Sequence, residues 1–140
     1  MNVNANSMYD FKELLRKNGL RNTKLKRQIF SFLQSVNGPQ DVNQIVCAIP
    51  SPHFVSIYRA LDGMTKARIL KRSSMKSRTV YELSDQFLPH HHHATCEECG
   101  RTSQIKSKML EVELKRIASE QGLELTRHDF ELYGVCQDCR

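Results

Sequence analysis

Four cysteines arranged in two pairs form the clearest metal-ligand pattern of the chain. Cys96 and Cys99 make one Cys-x-x-Cys pair, and Cys136 and Cys139 make a second pair near the end of the sequence. The two-residue gap lets both thiolates of a pair contact one ion, and two pairs complete a tetrahedral shell of four sulfurs, a shell that selects zinc. The alternative is a redox-active pair, which requires a thioredoxin-like strand and helix that the sequence does not show. The pattern predicts a structural zinc site.

Four consecutive histidines precede the first cysteine pair. Successive side chains on an extended backbone face opposite sides. His90 and His92 are therefore expected to point one way, and His91 and His93 the other, so that each couple resembles an H-x-H ligand pair. Imidazole combined with carboxylate suits zinc, iron, manganese, cobalt or nickel, so the donor types do not choose a metal. A flexible histidine run without metal is the alternative. The candidates for the remaining ligands are Glu82, Glu111 and His128.

The charge of the chain is divided unevenly. Residues 1–80 carry 14 Lys and Arg against 4 Asp and Glu, whereas residues 81–140 carry 7 against 11, and the whole chain has a net charge of +6. The basic part suits a polyanion and the acidic part suits a cation. This division predicts two domains with different partners.

Apolar residues recur at helical spacing in four segments of the basic part. Thr23 is predicted to cap the second helix and Asp41 the short third one, and residues 54–64, FVSIYRALDGM, form the fourth. Two strand-like runs, 67–72 and 78–83, flank the polar turn SSMKS and predict a hairpin. Helices followed by a basic hairpin predict a winged helix-turn-helix domain.

The fourth helix of such a domain enters the major groove of DNA. Tyr58 and Arg59 are its strongest candidates for base contact, although the pair could also be a core ring beside a solvated charge. Cys47, on the short third helix, is interpreted as a buried thiol. A helical bundle without a ligand is the rival interpretation, but it leaves the basic hairpin unexplained. The hairpin residues predicted to contact phosphates are Lys71, Arg72, Lys76 and Arg78.

The acidic part predicts a small sheet with one helix. Strands are expected at SQIK, LELT and ELYGV, and Ser107 is predicted to cap a helix whose apolar side carries Leu110, Leu114, Ile117 and Ala118. A unit of about 50 residues buries too little apolar surface to be stable alone. Pairing with a second copy of the chain is therefore expected.

The order of these motifs resembles that of the ferric uptake regulator family. The shared features are SIYRAL in the recognition segment, VYEL at a strand end, the histidine cluster, CxxCG and the terminal CxxC. Such proteins are dimeric, metal-dependent transcription factors, usually repressors that bind palindromic operators to control metal homeostasis. The resemblance implies an α+β chain. Its winged helix-turn-helix domain would span residues 1–84, a hinge linker 85–89, and a small α/β dimerisation domain with structural zinc 90–140.

The resemblance also assigns roles to individual residues. Cys96, Cys99, Cys136 and Cys139 match the structural zinc site. Glu82, His91 and His93 match a regulatory hinge site, and the ligands of an additional site match His90, His92, Glu111 and His128. The DNA-binding set is Ser56, Tyr58, Arg59, Lys26, Lys71 and Lys76. The implied cofactors are structural Zn²⁺ and a regulatory divalent metal. Fe²⁺ and Zn²⁺ are the first candidates for the regulatory metal, and Mn²⁺ and Ni²⁺ are the next.

Three positions depart from the family pattern. Pro39 stands where the family often has a histidine ligand for the hinge site, and Gln104 stands where an acidic ligand is common. Lys26 replaces a common arginine and keeps only its charge. These departures predict a hinge site with few ligands, which His53 could complete, beside an additional site whose ligands are all present.

Other classes of function fit the sequence less well. A zinc hydrolase or deaminase would need motifs such as H-E-x-x-H or H-x-E with P-C-x-x-C, which the chain lacks. We therefore expect no enzyme and no small organic substrate. A peroxide-sensing family member and a constitutive zinc-stabilised DNA-binding protein remain open. The absence of a membrane span or secretory signal leads us to expect a cytoplasmic protein. The family resemblance implies that it forms a homodimer and binds double-stranded DNA.

Overall fold

A computed structural model describes residues 5–50, 53–75 and 77–140, with side chains described from Asp10 onward. The chain divides into two compact units, Met1–Pro89 and His90–Arg140. Residues 85–89, expected to be a linker, belong to the first unit. In the described part of the chain, no helix is long and apolar enough to cross a membrane. The two units together define an α+β chain.

The described residues of the N-terminal unit form four helices, and the two caps that the sequence predicts, Thr23 and Asp41, are both present. The Thr23 side chain accepts a hydrogen bond from the backbone N–H of Lys26 at the start of the second helix. Asp41 and Gln44 form a reciprocal capping box at the start of the third. These short-range hydrogen bonds satisfy amide groups that a helix terminus leaves without partners. The helices are α1 (Ala5–Lys17), α2 (Lys24–Ser35), α3 (Val42–Ala48) and α4 (Phe54–Lys66).

A small antiparallel sheet completes this unit. It consists of β1 (Gln40–Asp41), β2 (Leu70–Met75) and β3 (Arg78–Leu83) in the order β1-β3-β2. The β2–β3 hairpin is the predicted wing, and its register pairs Lys71 with Glu82. The two-residue β1 was not predicted because only its pairing with Val80 and Tyr81 makes it a strand. The helices and hairpin together form a winged helix-turn-helix fold.

The core of the N-terminal unit lies between its helices and the sheet. The Phe30 ring stands 4.4 Å from the Phe11 ring and 5.0 Å from the Phe87 ring, measured between centroids. Phe87 thereby packs the segment after β3 against the core. The prediction that Cys47 is buried was wrong: Ile45 and Ile49 occupy the buried face of α3, and the thiol is exposed on another side.

The C-terminal unit is a three-stranded sheet with one helix. Its elements are β4 (His92–Cys96), β5 (Thr102–Ile105), α5 (Lys108–Glu120), β6 (Glu131–Gly134) and a 3₁₀ turn (Gln137–Cys139). The strand order is β5-β4-β6, with β5 antiparallel and β6 parallel to β4. The strand expected at LELT, residues 123–126, is absent. That segment pairs with neither edge strand of the sheet, β5 or β6.

The helix α5 begins where the sequence predicts, because the Ser107 side chain accepts a hydrogen bond from the backbone N–H of Leu110. Its predicted apolar side is only partly buried. Ala118 is 8% exposed, but Ile117 is 45% exposed. A single copy of this small unit therefore leaves apolar surface in contact with water.

Candidate metal centres and nucleic-acid interface

The four paired cysteines converge at one end of the C-terminal sheet. Cys96 ends β4, and the parallel ladder pairs it with Gly134 of β6, two residues before Cys136. This register places the two Cys-x-x-Cys pairs, called knuckles below, side by side. The four sulfur atoms lie within 4.8 Å of one another. Cys99 Sγ and Cys136 Sγ are 3.8 Å apart. Zinc–sulfur bonds of about 2.3 Å in a tetrahedron give a sulfur–sulfur distance of about 3.8 Å, so the cluster fits zinc.

The hydrogen bonds of this cluster shift the pKa values of two of its thiols in opposite directions. The backbone N–H groups of Cys99 and Cys136 donate to Cys96 Sγ and lower the pKa of Cys96 to about 6. Hydrogen bonds with the thiols of Cys136 and Cys99 raise the pKa of Cys139 to about 12. Four thiolates at this spacing repel one another unless a cation balances their charge. A divalent ion would supply that balance, which again fits zinc.

An ion pair joins the two knuckles from outside. Arg101, which follows the first pair, donates to a carboxylate oxygen of Asp138, which lies within the second pair, at 2.6 Å. Both side chains are exposed, so solvent screening leaves the pair little effect on the stability of the fold. We did not predict this contact from the sequence. The opposite charges of the residues beside the two cysteine pairs could have indicated it.

A second cluster brings together the predicted ligands of the additional site. His92 begins β4 and His90 lies two residues before it, Glu111 lies in the first turn of α5, and His128 lies in the segment that leads to β6. The Nε2 atoms of His90 and His128 are 3.0 Å apart, and those of His128 and His92 are 3.4 Å apart. The carboxylate of Glu111 lies 2.7 Å from His92 Nε2 and 3.2 Å from His128 Nε2.

This geometry matches a tetrahedral metal shell. With metal–nitrogen bonds of about 2.0–2.1 Å, the distance between neighbouring ligand atoms is about 3.4 Å. Three imidazole nitrogens and one carboxylate converge within that range, and nitrogen lone pairs at this spacing repel one another unless a proton or a cation lies between them. The hydrogen bond from His92, reinforced by the charges of the histidines, lowers the pKa of Glu111. The donor set therefore fits a divalent transition metal.

Phe130 forms part of this cluster, although the sequence analysis did not identify it. Its ring packs edge-on against the His92 ring, with the centroids 5.5 Å apart. The sequence could have indicated that Phe130 belongs to this cluster, because it lies two residues after His128 on a non-helical segment. Side chains two residues apart on an extended backbone face the same side. An aromatic ring at this place restricts the orientations of the His92 imidazole.

The other two histidines also form a pair. His91 and His93 have ring centroids 5.0 Å apart and are both buried. Gln104 lies opposite His93 in the β4–β5 ladder, where the family often has an acidic ligand. Glu82 belongs to the N-terminal unit, where it is buried on β3. The assembly of Glu82, His91 and His93 into one hinge site stays a prediction.

The recognition segment presents a polar face to solvent. Ile57 and Leu61 of α4 are buried in the core, whereas Ser56, Tyr58 and Arg59 are exposed. Tyr58 is 53% exposed, so it is not the core ring that the sequence left open as an alternative. This face is free to contact a ligand from the side opposite the core.

The remaining predicted DNA-binding residues differ in availability. Lys71 is exposed on β2 of the wing. Lys26 is half-buried, and its Nζ donates to the carbonyl oxygen of Arg21 at 2.8 Å. Burial lowers the pKa of Lys26, so this lysine holds the loop before α2 as well as carrying charge. Lys76, which follows the last residue of β2 in the sequence, lies outside the described residues.

A winged helix with an exposed recognition face, on a chain that also carries clusters of metal ligands, defines a metal-binding transcription factor. The sequence profile of the ferric uptake regulator family matches residues 17–133. The chain belongs to that family, and it is a metal-responsive, DNA-binding transcriptional regulator rather than an enzyme.

Known proteins resemble the chain over nearly its whole length. The ferric uptake regulation protein of Campylobacter upsaliensis is 32% identical over 136 residues, which cover 92% of this chain and 86% of that protein. The crystal structure of the Vibrio cholerae ferric uptake regulator superposes with a TM-score of 0.73 at 27% identity, covering 89% of this chain and 98% of that one. The Helicobacter pylori regulator, reported with three functional metal-binding sites, superposes with a TM-score of 0.82 at 22% identity, covering 96% and 91%.

Proposed function

We propose that this protein is a homodimeric repressor that binds palindromic operators when a divalent metal, ferrous iron or zinc, loads its regulatory site. It would thereby adjust the uptake of that metal to its supply. The observation that carries the proposal is the convergence of His90, His92, Glu111 and His128, whose ligand atoms lie within 4.8 Å of one another. Three imidazoles and one carboxylate form a site of the kind that binds transition metals reversibly.

The four-cysteine cluster has a different role in this proposal. Its all-sulfur shell is closed, since four protein ligands complete a tetrahedron and leave no position for exchange. Such a site holds zinc permanently and stabilises the fold. We therefore assign structural zinc to Cys96, Cys99, Cys136 and Cys139, and regulation to the histidine-containing ligands.

The exposed apolar surface of the C-terminal unit supports the homodimer. Met109 and Val112 of α5 are 84% and 67% exposed, and Leu132 and Tyr133 of β6 are 49% and 56% exposed. Monomeric proteins rarely leave so much apolar surface in contact with water on so small a unit. A second copy of the chain would cover it and would set two recognition helices at the spacing of a palindrome.

We further propose that Glu82, His91 and His93 form a second regulatory site at the hinge. The buried pair of imidazoles supports this proposal, and the positions of Pro39 and Gln104 limit it, because neither side chain supplies a carboxylate or an imidazole. With few ligands this site would bind metal more weakly than the site containing Glu111. The latter would then dominate the response at low metal concentration.

Metal dependence requires a difference in affinity between two shapes of the protein. Ligands from β4, from α5 and from the segment before β6 meet in the site containing Glu111, so binding there fixes three elements of the C-terminal unit relative to one another. If the dimer competent for DNA has these elements in that arrangement, metal binding shifts the population towards it.

The test uses a DNA duplex enriched from a randomised pool by the metal-loaded protein. Fluorescence anisotropy would measure its affinity while Fe²⁺, anaerobically, or Zn²⁺ is titrated into protein that retains only its structural zinc. Glu111→Gln should weaken the response to metal at least tenfold, because it removes the only anionic ligand of the site. Glu124→Gln, an exposed carboxylate of the same unit, is the matched control. DNA binding that is equally tight without regulatory metal would instead identify a constitutive DNA-binding protein.

A further inference from the structure

The exposed apolar side chains of the N-terminal unit are confined to one turn of helix. Among the described side chains of this unit, the large hydrophobic ones that are exposed are Phe54 at 62%, Val55 at 60% and Tyr58 at 53%. All three lie within the first five residues of α4. The unit's other described large apolar side chains are buried or half-buried. An apolar cluster left in water by a unit with a well-formed core indicates a contact surface.

Helix geometry singles out Val55 within this cluster. Successive residues of an α-helix are rotated by about 100°. The buried residues that define the inward face of α4 are Ile57, Ala60, Leu61 and Met64. Val55 lies about 170° from the centre of that face, and Arg59 lies one turn further along the same outward line. Val55 therefore points directly away from the core at the N-terminal end of the helix.

The charge around this position selects the partner. Arg59 lies on the same outward line, and Lys71, Arg72 and Arg78 are exposed on the wing of the same unit. Residues 1–80 carry 14 basic against 4 acidic side chains. Asp62, the acidic residue on the outward face, is paired with Lys66 at 2.8 Å. An apolar helix end surrounded by basic side chains complements DNA. The major groove of DNA presents one apolar group at the base edges, the C5-methyl group of thymine.

We propose that Val55 determines part of the operator sequence by contacting a thymine methyl group in each half-site. The inference rests on the proposed function, in which α4 enters the major groove. Residues at the N-terminal end of a recognition helix are those that reach base edges. Phe54 and Tyr58 flank Val55 and exclude water from the contact, while Arg59 adds charge next to it.

The experiment removes the methyl group and the side chain separately. A duplex enriched from a randomised pool by the metal-loaded wild-type protein is resynthesised with single thymines replaced by deoxyuridine, which differs only in lacking the methyl group. Affinities of wild-type protein, Val55→Ala and Val55→Thr are measured by anisotropy on both duplexes. Cys47→Ala, an exposed position on α3, is the matched control. Circular dichroism verifies that each variant is folded.

The expected result is a coupling between the two changes. Deoxyuridine at one thymine of each half-site should weaken wild-type binding by about fourfold per methyl group, the value of one buried methyl. Val55→Ala should bind the thymine duplex more weakly than the wild type by a similar factor. Its affinity should not fall further on the deoxyuridine duplex. Val55→Thr, which keeps one methyl group, should retain part of the discrimination, and Cys47→Ala all of it.

Two outcomes would overturn the inference while leaving the proposed function intact: no thymine whose methyl group matters to the wild type, or an undiminished deoxyuridine penalty in Val55→Ala. Failure of the metal-loaded wild-type protein to enrich any duplex would overturn the proposed function itself, and this inference with it. The two failures are therefore distinguishable in the same set of measurements.

Discussion

Loss of the four-cysteine cluster should unfold the C-terminal unit while the N-terminal unit stays folded. Among the described residues, the hydrophobic side chains that the C-terminal unit buries are Cys96 and Ala118, whereas Phe11, Phe30 and Ile57 belong to a much larger set in the N-terminal core. We therefore expect the C-terminal unit to depend on a zinc ion held by the four cysteines, and the N-terminal unit to be independent of it.

The size of this destabilisation can be estimated from the four-sulfur zinc shell. A structural zinc contributes roughly 10–16 kcal/mol of folding free energy, against a total stability of about 5–15 kcal/mol for an ordinary domain. Divided over four thiolates, this is about 2.5–4 kcal/mol for each ligand, equivalent to a loss of about 70-fold to 900-fold in zinc affinity. Cys136→Ser, which removes the sulfur 3.8 Å from Cys99 Sγ, should therefore lose zinc under mild chelation.

Hydrogen–deuterium exchange read by mass spectrometry assays the two units separately. In chelator, Cys136→Ser should lose protection over β4, α5 and β6 and keep it over α2 and α4. Cys47→Ser is the matched control, because Cys47 is exposed and lies outside the cluster. Retained protection of α5 in Cys136→Ser after zinc has been shown to be absent would refute the assignment of a structural role to this site.

Three further predictions concern packing, charge and the ion pair between the knuckles. Phe30→Ala should destabilise the N-terminal unit by about 3–5 kcal/mol in urea unfolding, because a fully buried ring in contact with two other rings is lost; a change below about 1 kcal/mol would contradict the packing. Lys71→Ala on the wing should reduce the slope of log affinity against log salt by about 1, without a change in the preferred DNA sequence; an altered sequence preference would show that Lys71 contacts bases. Arg101→Ala should leave the midpoint of urea unfolding unchanged, since both members of its ion pair are exposed; loss of zinc in this variant would show that the pair is needed to hold the two cysteine pairs together.

The features that sequence predicted well are local ones. The caps formed by Thr23, Asp41 and Ser107 depend on groups three residues apart, so the sequence contains both partners of each hydrogen bond. The cysteine knuckles are similar, because each two-residue spacing already limits where the thiolates can point. The wing hairpin also followed from two short strand-like runs and a polar turn.

The features that sequence did not predict depend on distant partners. The strand β1 exists because Tyr81, 41 residues away, pairs with Gln40. The strand expected at residues 123–126 does not form: the segment has the composition of a strand, but it pairs with neither edge strand of the sheet, β5 or β6. The exposure of Cys47 was missed because apolar neighbours in sequence do not show which face of a short helix is buried.

The most direct test of metal regulation is the affinity of the regulatory site for metal with and without DNA. Coupling between two binding sites is reciprocal, so a metal that strengthens DNA binding must itself be bound more tightly by the DNA complex, by the same factor. Zinc or ferrous iron would be titrated calorimetrically into protein that retains its structural zinc, alone and with a saturating enriched duplex. We predict tighter metal binding in the complex by at least about fivefold, and no such gain in Glu111→Gln. Equal metal affinity with and without DNA would contradict regulation by metal at this site.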